Sequence, residues 1–252
     1  MKPARKAFEL NALEIIYLTA LTGGTSFPGL ETILTEESDR GLRSLMDAQM
    51  RSLEVKGYLE TDFTGNAQVK EELHEFICAA TGSKAYLSQI IQWDEGMVKV
   101  SYFFREGTWF ELEHQPDGTS YRVQEIYAWH ELMFQVVNRI PLVQSSDSSG
   151  ELLSAAEESE LEKWAGQCLL TGASVLSLAE IRCTAEEAEV YRDLNLLIHD
   201  DQMWLLRRET DEEVMRTSVS FATALKELIA WLQDSILSGE DGHADSIDDL
   251  SV

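Results

Sequence analysis

The stretch MVKVSYFFREGTWFELEH, Met97–His114, decides the fold class. Val98, Val100, Tyr102 and Phe104 alternate with Lys99, Ser101, Phe103 and Arg105, and a period of two belongs to a strand. Arg105-Glu106-Gly107 breaks the run as a turn, and Trp109–His114 resumes it. The pattern extends in both directions. Leu87–Trp93 precedes it across Asp94-Glu95-Gly96, and Thr119–Ile126 follows it across Pro116-Asp117-Gly118. Short turn signals between alternating runs predict an antiparallel meander.

On the N-terminal side the period becomes helical. Asn11 with Glu14 reads as a capping box, and Leu13, Ile16, Tyr17, Ala20 and Leu21 form one apolar stripe that Gly23-Gly24 stops. A second helix is predicted over 38–56, burying Leu42, Leu45, Met46, Met50 and Leu53 and ending at Gly57. Tyr58-Leu59-Glu60 reads as extended, and a third helix is predicted over 67–80. Three short helices that pass through Val55–Leu59 into strands have the outline of a winged helix. Beyond the meander a helix over 128–138 ends before Pro141.

Gln144–Gly150, QSSDSSG, reads as a linker. Helices are predicted after it over 151–168 and, from a Thr184/Glu187 capping box, to Arg192. Ala173–Ile181 fits a strand or a loop, and Leu194–Ile198 and Met203–Arg208 flank a second hairpin at His199–Gln202. A last helix over 212–237 carries Phe221, Leu225, Leu228, Ile229, Leu232 and Ile236 on one face. The expected class is therefore α+β. Residues 1–143 form an N-terminal helical subdomain plus meander, 151–237 a C-terminal hairpin and helical subdomain on the same sheet, and 238–252 a disordered acidic tail. A hairpin followed by an amphipathic helix occurs in each half, which suggests a repeat.

The chain has 252 residues and a formal charge of −25. That field repels nucleic acid and anionic membrane surfaces, so neither is an expected partner. Residues 1–84, which hold the winged-helix outline, carry nine basic and thirteen acidic residues, against DNA reading. No window of about 20 residues is continuously apolar, so no membrane span is expected. Three well-separated cysteines, Cys78, Cys168 and Cys183, suit a reducing compartment, and a cytoplasmic location is expected.

No pattern carries catalysis. His74 and Cys78 share a helix face, but two ligands do not make a metal site. His130-Glu131 begins like a zinc-protease helix, yet Phe134 stands where the second imidazole belongs. Paired carboxylates such as Glu71-Glu72 lie in first helical turns, where they suit the helix dipole. The expectation is a binding protein, not an enzyme, with no cofactor and no metal. The candidate surface is aromatic. Trp93 and Trp109 flank hairpin turns, Phe103 falls on the polar face of its strand, and Trp231 edges the last helix. With Arg105, Glu106 and Gly107 of the turn they form the expected partner-binding set. The competing reading of Phe103 is that helices cover both sheet faces.

The order of elements resembles the EspG family of type VII secretion chaperones over about residues 8–237. The likeness runs through Leu13–Leu21, LEVKGYLETD (Leu53–Asp62), AQVKEELHEFICAA (Ala67–Ala80), MVKVSYFF (Met97–Phe104), TWFELEH (Thr108–His114) and MWLLRRE (Met203–Glu209). The resemblance implies a central antiparallel sheet flanked by two helical subdomains related by a rough two-fold. It implies a cytoplasmic chaperone or adaptor whose partner is a secreted helical-hairpin protein. The alternative, read from the charge, is an acidic immunity or inhibitor protein that neutralises a toxin.

Overall fold

The computed structural model describes residues 6–30, 39–93, 96–116, 119–141, 143–148, 151–184, 188–210 and 213–234. The expected tail over 238–252 and the start of the predicted 38–56 helix lie outside these residues. The strands are β1 Ala7–Asn11, β2 Leu59–Thr61, β3 Ala67–Val69, β4 Ala85–Trp93, β5 Gly96–Arg105, β6 Thr108–His114, β7 Ser120–Ile126, β8 Glu151–Ser154, β9 Ser174–Cys183, β10 Ala188–His199, β11 Gln202–Thr210 and β12 Glu213–Ser218. The helices are α1 Ala12–Leu21, α2 Asp39–Val55, α3 Glu71–Gly82, α4 Trp129–Val137, α5 Ala155–Leu170 and α6 Phe221–Gln233.

Ten strands form one antiparallel sheet in the order β1-β7-β6-β5-β4-β9-β10-β11-β12-β8. The order is symmetric about the β4–β9 pair. Each half lays down one strand, then helix, then a four-stranded meander, then a helix. The last meander strand returns to pair with the first strand, as β7 with β1 and β12 with β8. Even the central turns match. The β5–β6 loop is Glu106-Gly107, with φ of 50° and 83°, and the β10–β11 loop is Asp200-Asp201, with φ of 49° and 58°. Two-residue loops with both φ positive twist with the strands they join. The repeat suggested by the hairpin–helix units is thus a repeat of topology.

Both faces are covered. On one, Leu132 and Val136 of α4 and Leu228 and Leu232 of α6 bury Leu87, Val100, Tyr102, Leu176, Leu194 and Leu196. On the other, α1–α3 bring Ile15, Leu18, Leu53, Leu73, Phe76 and Ile77 onto Phe103, Phe110, Leu112 and Val123. At the far end of that face α5 packs Trp164 and Cys168 against Leu197 and Trp204. The α+β class and the sheet with flanking helices therefore hold. Among the described residues no helix is long and apolar enough to cross a membrane.

The buried face of α1 is Ala12, Glu14, Ile15, Leu18 and Thr19 instead of the stripe at Leu13, Ile16, Tyr17, Ala20 and Leu21, and Leu42 of α2 is exposed. Ala7–Asn11 is a strand, and four helix assignments also change. Ala67–Val69 is a strand that pairs with Leu59–Thr61 as a wing-like hairpin, and α3 begins only at Glu71. Asp62 holds that turn, its Oδ1 accepting from the Thr64 and Asn66 backbone N–H groups at 2.8 and 2.9 Å. Glu151–Ser154 pairs with β12 before α5 starts. Ala188–Arg192 belongs to β10, and Glu213–Ser218 to β12, so α6 begins at Phe221 under a Ser220 cap. In each case an extended ladder partner outweighs a helix-compatible sequence. The Asn11–Glu14 capping box forms as read.

Candidate partner-binding surface

Burial reduces the expected set of seven. Phe103 is fully buried, edge-on to Phe27 and Phe76, because α3 covers the face that its alternation marked as polar. Trp109 is buried between Phe104 and Trp129, with ring centroids 4.8 and 5.8 Å away. Neither side chain is presented at the surface of this structure, contrary to the expectation that both are exposed. Both losses have one cause: helices pack on both faces, so a polar–apolar alternation does not distinguish inside from outside.

Trp231 is half-buried and already occupied. The Arg192 guanidinium lies 4.5 Å from its ring and donates from Nη2 to its carbonyl at 2.8 Å. Arg192 in turn meets the buried Glu180 carboxylate at 3.0 Å, so β10 anchors the end of α6 through this pair. The first half has a counterpart. Arg139, just past α4, holds buried Glu111 at 2.9 and 3.3 Å and Glu113 at 3.0 Å, and donates to the Tyr102 hydroxyl at 2.9 Å. The Tyr102 hydroxyl donates to Gln89 Oε1 at 3.0 Å, and Gln89 Nε2 donates to the Val136 carbonyl of α4. Burial first, then the Glu111 charge, pushes the Tyr102 phenol well above its usual range, so it stays a donor. These groups fasten helices to the sheet; they do not face a ligand.

Arg105, Glu106 and Gly107 stand at the exposed β5–β6 tip, where Arg105 lies 3.7 Å from Glu75 of α3 and 3.5 Å from Glu106. Trp93 is 40% exposed, its indole lying over Gly96, where a Cβ would meet the ring at 3.0 Å. The tip and Trp93 do not come together. They sit at opposite ends of the ten-residue β5, roughly 30 Å apart at about 3.3 Å per residue.

The tip has other neighbours. The β4–β9 register, with Ala85 opposite Arg182, brings Arg182 and the start of β10 to the same end of the sheet. There Val190 and Tyr191 are 61% and 55% exposed, and the Arg182 guanidinium stacks 3.1 Å over the Tyr191 ring. Sequence reading missed this pair by placing it in a helix. The register shifts between Val190 and Arg192, leaving Tyr191 without a ladder partner in an exposed run, and no local signal in the sequence announces that bulge.

His74 and Cys78 do meet on α3, with Sγ 3.8 Å from Nε2, and Glu75 lies 3.6 Å from Nδ1. The residue types suit thiol chemistry. They lie on open helix surface, outside the cavities beside the wing (Gly57–Glu71) and beside β5. Among the described residues no three metal-ligating side chains cluster.

No protein-family model matches the chain. No curated protein matches it by sequence. A solved structure does match by fold: the type VII secretion system chaperone EspG5 of Mycobacterium tuberculosis, determined in complex with a PE25–PPE41 dimer. The two chains superpose with a TM-score of 0.66 at 9% sequence identity, over 90% of this chain and 96% of the other. At that identity the likeness is one of fold, and it spans both halves of the sheet: the chain has an EspG-like fold.

Proposed function

We propose that this chain is a binding protein of the chaperone or adaptor type, which holds a helical secreted partner in the cytoplasm before its export by type VII secretion. One observation carries the reading. The whole architecture, not a shared module, matches a secretion chaperone that was captured with its protein partners. The proposed contact surface is the sheet end that carries the β5–β6 tip, Arg182, Val190 and Tyr191. Exposed apolar and aromatic side chains interleaved with arginine are the composition of binding hot spots. Trp93 and Trp231 are proposed as peripheral contacts only.

Co-expression with the proteins encoded beside it tests the reading. A neighbour should co-elute with the chain in a stable complex, and Tyr191→Ala with Val190→Ser should weaken that complex. If no neighbour forms one, the reading loses its support.

The −25 charge favours a second reading, an acidic inhibitor of a basic toxin. Salt separates the two. A charge-steered inhibitor associates roughly 10-fold or more slowly when salt is raised, whereas an apolar contact is nearly indifferent to it.

A further inference from the structure

Among the described residues, the cover on the face that carries α1–α3 is incomplete. Between the Pro28–Leu30 turn and strands β5–β7 lies a cavity of about 310 Å³, the lower end of the size range of small-molecule sites. Lys99 and Ser101 of β5 reach it, as do His114 of β6 and Tyr121 of β7. The alternation along β5 accounts for this. Phe103 lies under α3, while Lys99 and Ser101, on the same face, lie beyond it.

Polar groups converge there around a missing side chain. A Cβ built on Gly29 would stand 3.9 Å from the Tyr86 hydroxyl, 4.0 Å from Lys99 Nζ and 4.0 Å from Ser101 Oγ. A cation and two hydroxyls thus surround one open point. Burial pushes the Tyr86 phenol up to about 12, so it keeps its proton for donation. His114 stacks flat on Tyr121, at 4.8 Å and 9°, and its buried Nε2 has no hydrogen-bond partner among the described residues. Buried polar atoms without partners are rare, and this one lies just behind the cavity wall. Lys99 likewise forms no ion pair with a described residue, although Asp and Glu outnumber Lys and Arg by 45 to 20.

We propose that this cavity is a binding site for a monocarboxylate with a short apolar body, held by Lys99 and Ser101 with the Tyr86 hydroxyl beside them. One lysine matches one negative charge, and the strongly negative chain opposes a polyanion. Met97, Leu112 and Pro28 supply apolar walls for the body of the ligand. A free organic acid and the carboxyl terminus of a polypeptide present the same chemistry. The inference does not depend on the secretion reading.

Titration calorimetry on the full chain tests it with two probes, 4-methylpentanoate and an acetylated Gly-Ala-Leu peptide with a free carboxyl terminus. Each is run against its own amide. Saturable binding at a Kd of about 1 mM or tighter is expected for at least one acid, with its amide at least about 10-fold weaker. Binding of the peptide alone identifies a polypeptide terminus as the source; binding of the free acid alone identifies a small molecule. Lys99→Met should lose about 10-fold in affinity. Gly29→Asn should abolish binding by filling the meeting point with a residue that tolerates positive φ, so the test survives if one variant fails to fold. Amide shifts on binding should centre on Lys99, Ser101 and His114. The proposal is overturned if neither acid saturates by about 20 mM, if an amide binds as well as its acid, or if folded Lys99→Met keeps wild-type affinity.

Discussion

The two central turns offer a matched perturbation, because the two halves solve one geometric problem with different residues. Gly107 and Asp201 hold the same second position of a two-residue loop, at φ of 83° and 58°. A left-handed conformation costs an ordinary L-residue roughly 1–2 kcal/mol and glycine nothing, with Asp toward the lower end because its side chain bonds locally. Replacing Asp201 by Gly removes that cost but adds unfolded-chain entropy of about 0.4–1 kcal/mol. The net expectation is a gain of about 0.5 kcal/mol. Gly107→Asp should lose about the same amount. Its added side chain has room, since a Cβ there meets nothing within 4 Å, and so only the backbone term acts. At about 2–4 °C per kcal/mol for a chain of this length, Tm should rise by about 1–2 °C in Asp201→Gly and fall by about 1–2 °C in Gly107→Asp. The double variant should sit near wild type, since the sites lie in different halves of the sheet. Calorimetry and urea melts with a shared m-value measure this. A fall in Asp201→Gly, or no change in Gly107→Asp, would refute the equivalence of the two turns.

Other consequences follow from the buried ion pairs and the wing. Arg139→Met strands the Glu111 carboxylate, 1% exposed, with Gln124 as its remaining side-chain donor, and should cost about 3–5 kcal/mol in a urea melt. Adding Glu111→Gln should restore much of that loss, and a single-variant cost below about 1 kcal/mol would contradict the role given to the pair. Lys56→Met removes the 2.8 Å partner of buried Glu14 but leaves Ser52 and the Asn11 N–H, so a smaller loss of about 1–3 kcal/mol is expected by the same assay. Hydrogen bonds from Thr64 and Asn66 lower the Asp62 carboxyl from 3.8 to about 2. A depressed pKa contributes stability that is complete above 3.8 and lost as pH falls through about 2. Its carboxyl NMR resonance should therefore stay at the ionised position between pH 5 and 3, and a midpoint near 3.8 would remove the Asp62 account of the wing turn.

The parts of the fold legible in sequence are those in which local chemistry and tertiary context agree. The meander from Leu87 to Ile126 has period two and turn residues at each break, and the Asn11–Glu14 box needs nothing beyond its own four residues. The failures share a physical cause. Ala67–Val69, Glu151–Ser154, Ala188–Arg192 and Glu213–Ser218 are short segments whose strand character comes from a ladder partner, not from their own propensity. Glu151–Ser154 and Glu213–Ser218 close the second half, Ala67–Val69 shapes the wing, and Ala7–Asn11, too short to show a period, closes the first half on β7; the hairpin–helix units are therefore visible in sequence while the closing pairs β7–β1 and β12–β8 are not.

The candidate site fails and succeeds by the same logic. Alternation places Phe103 beside Lys99 and Ser101 on one face, and no periodicity tells which part of that face a helix will cover. Cover over Phe103 makes core; among the described residues Lys99 and Ser101 instead line a cavity, with hydroxyls near Gly29. Once the helices are in place, the buried Phe103 and the cavity beside Lys99 are two outcomes of a single strand. On such a sheet, binding surface is to be sought where polar residues interrupt a covered face, and at bulges such as the one at the exposed Tyr191.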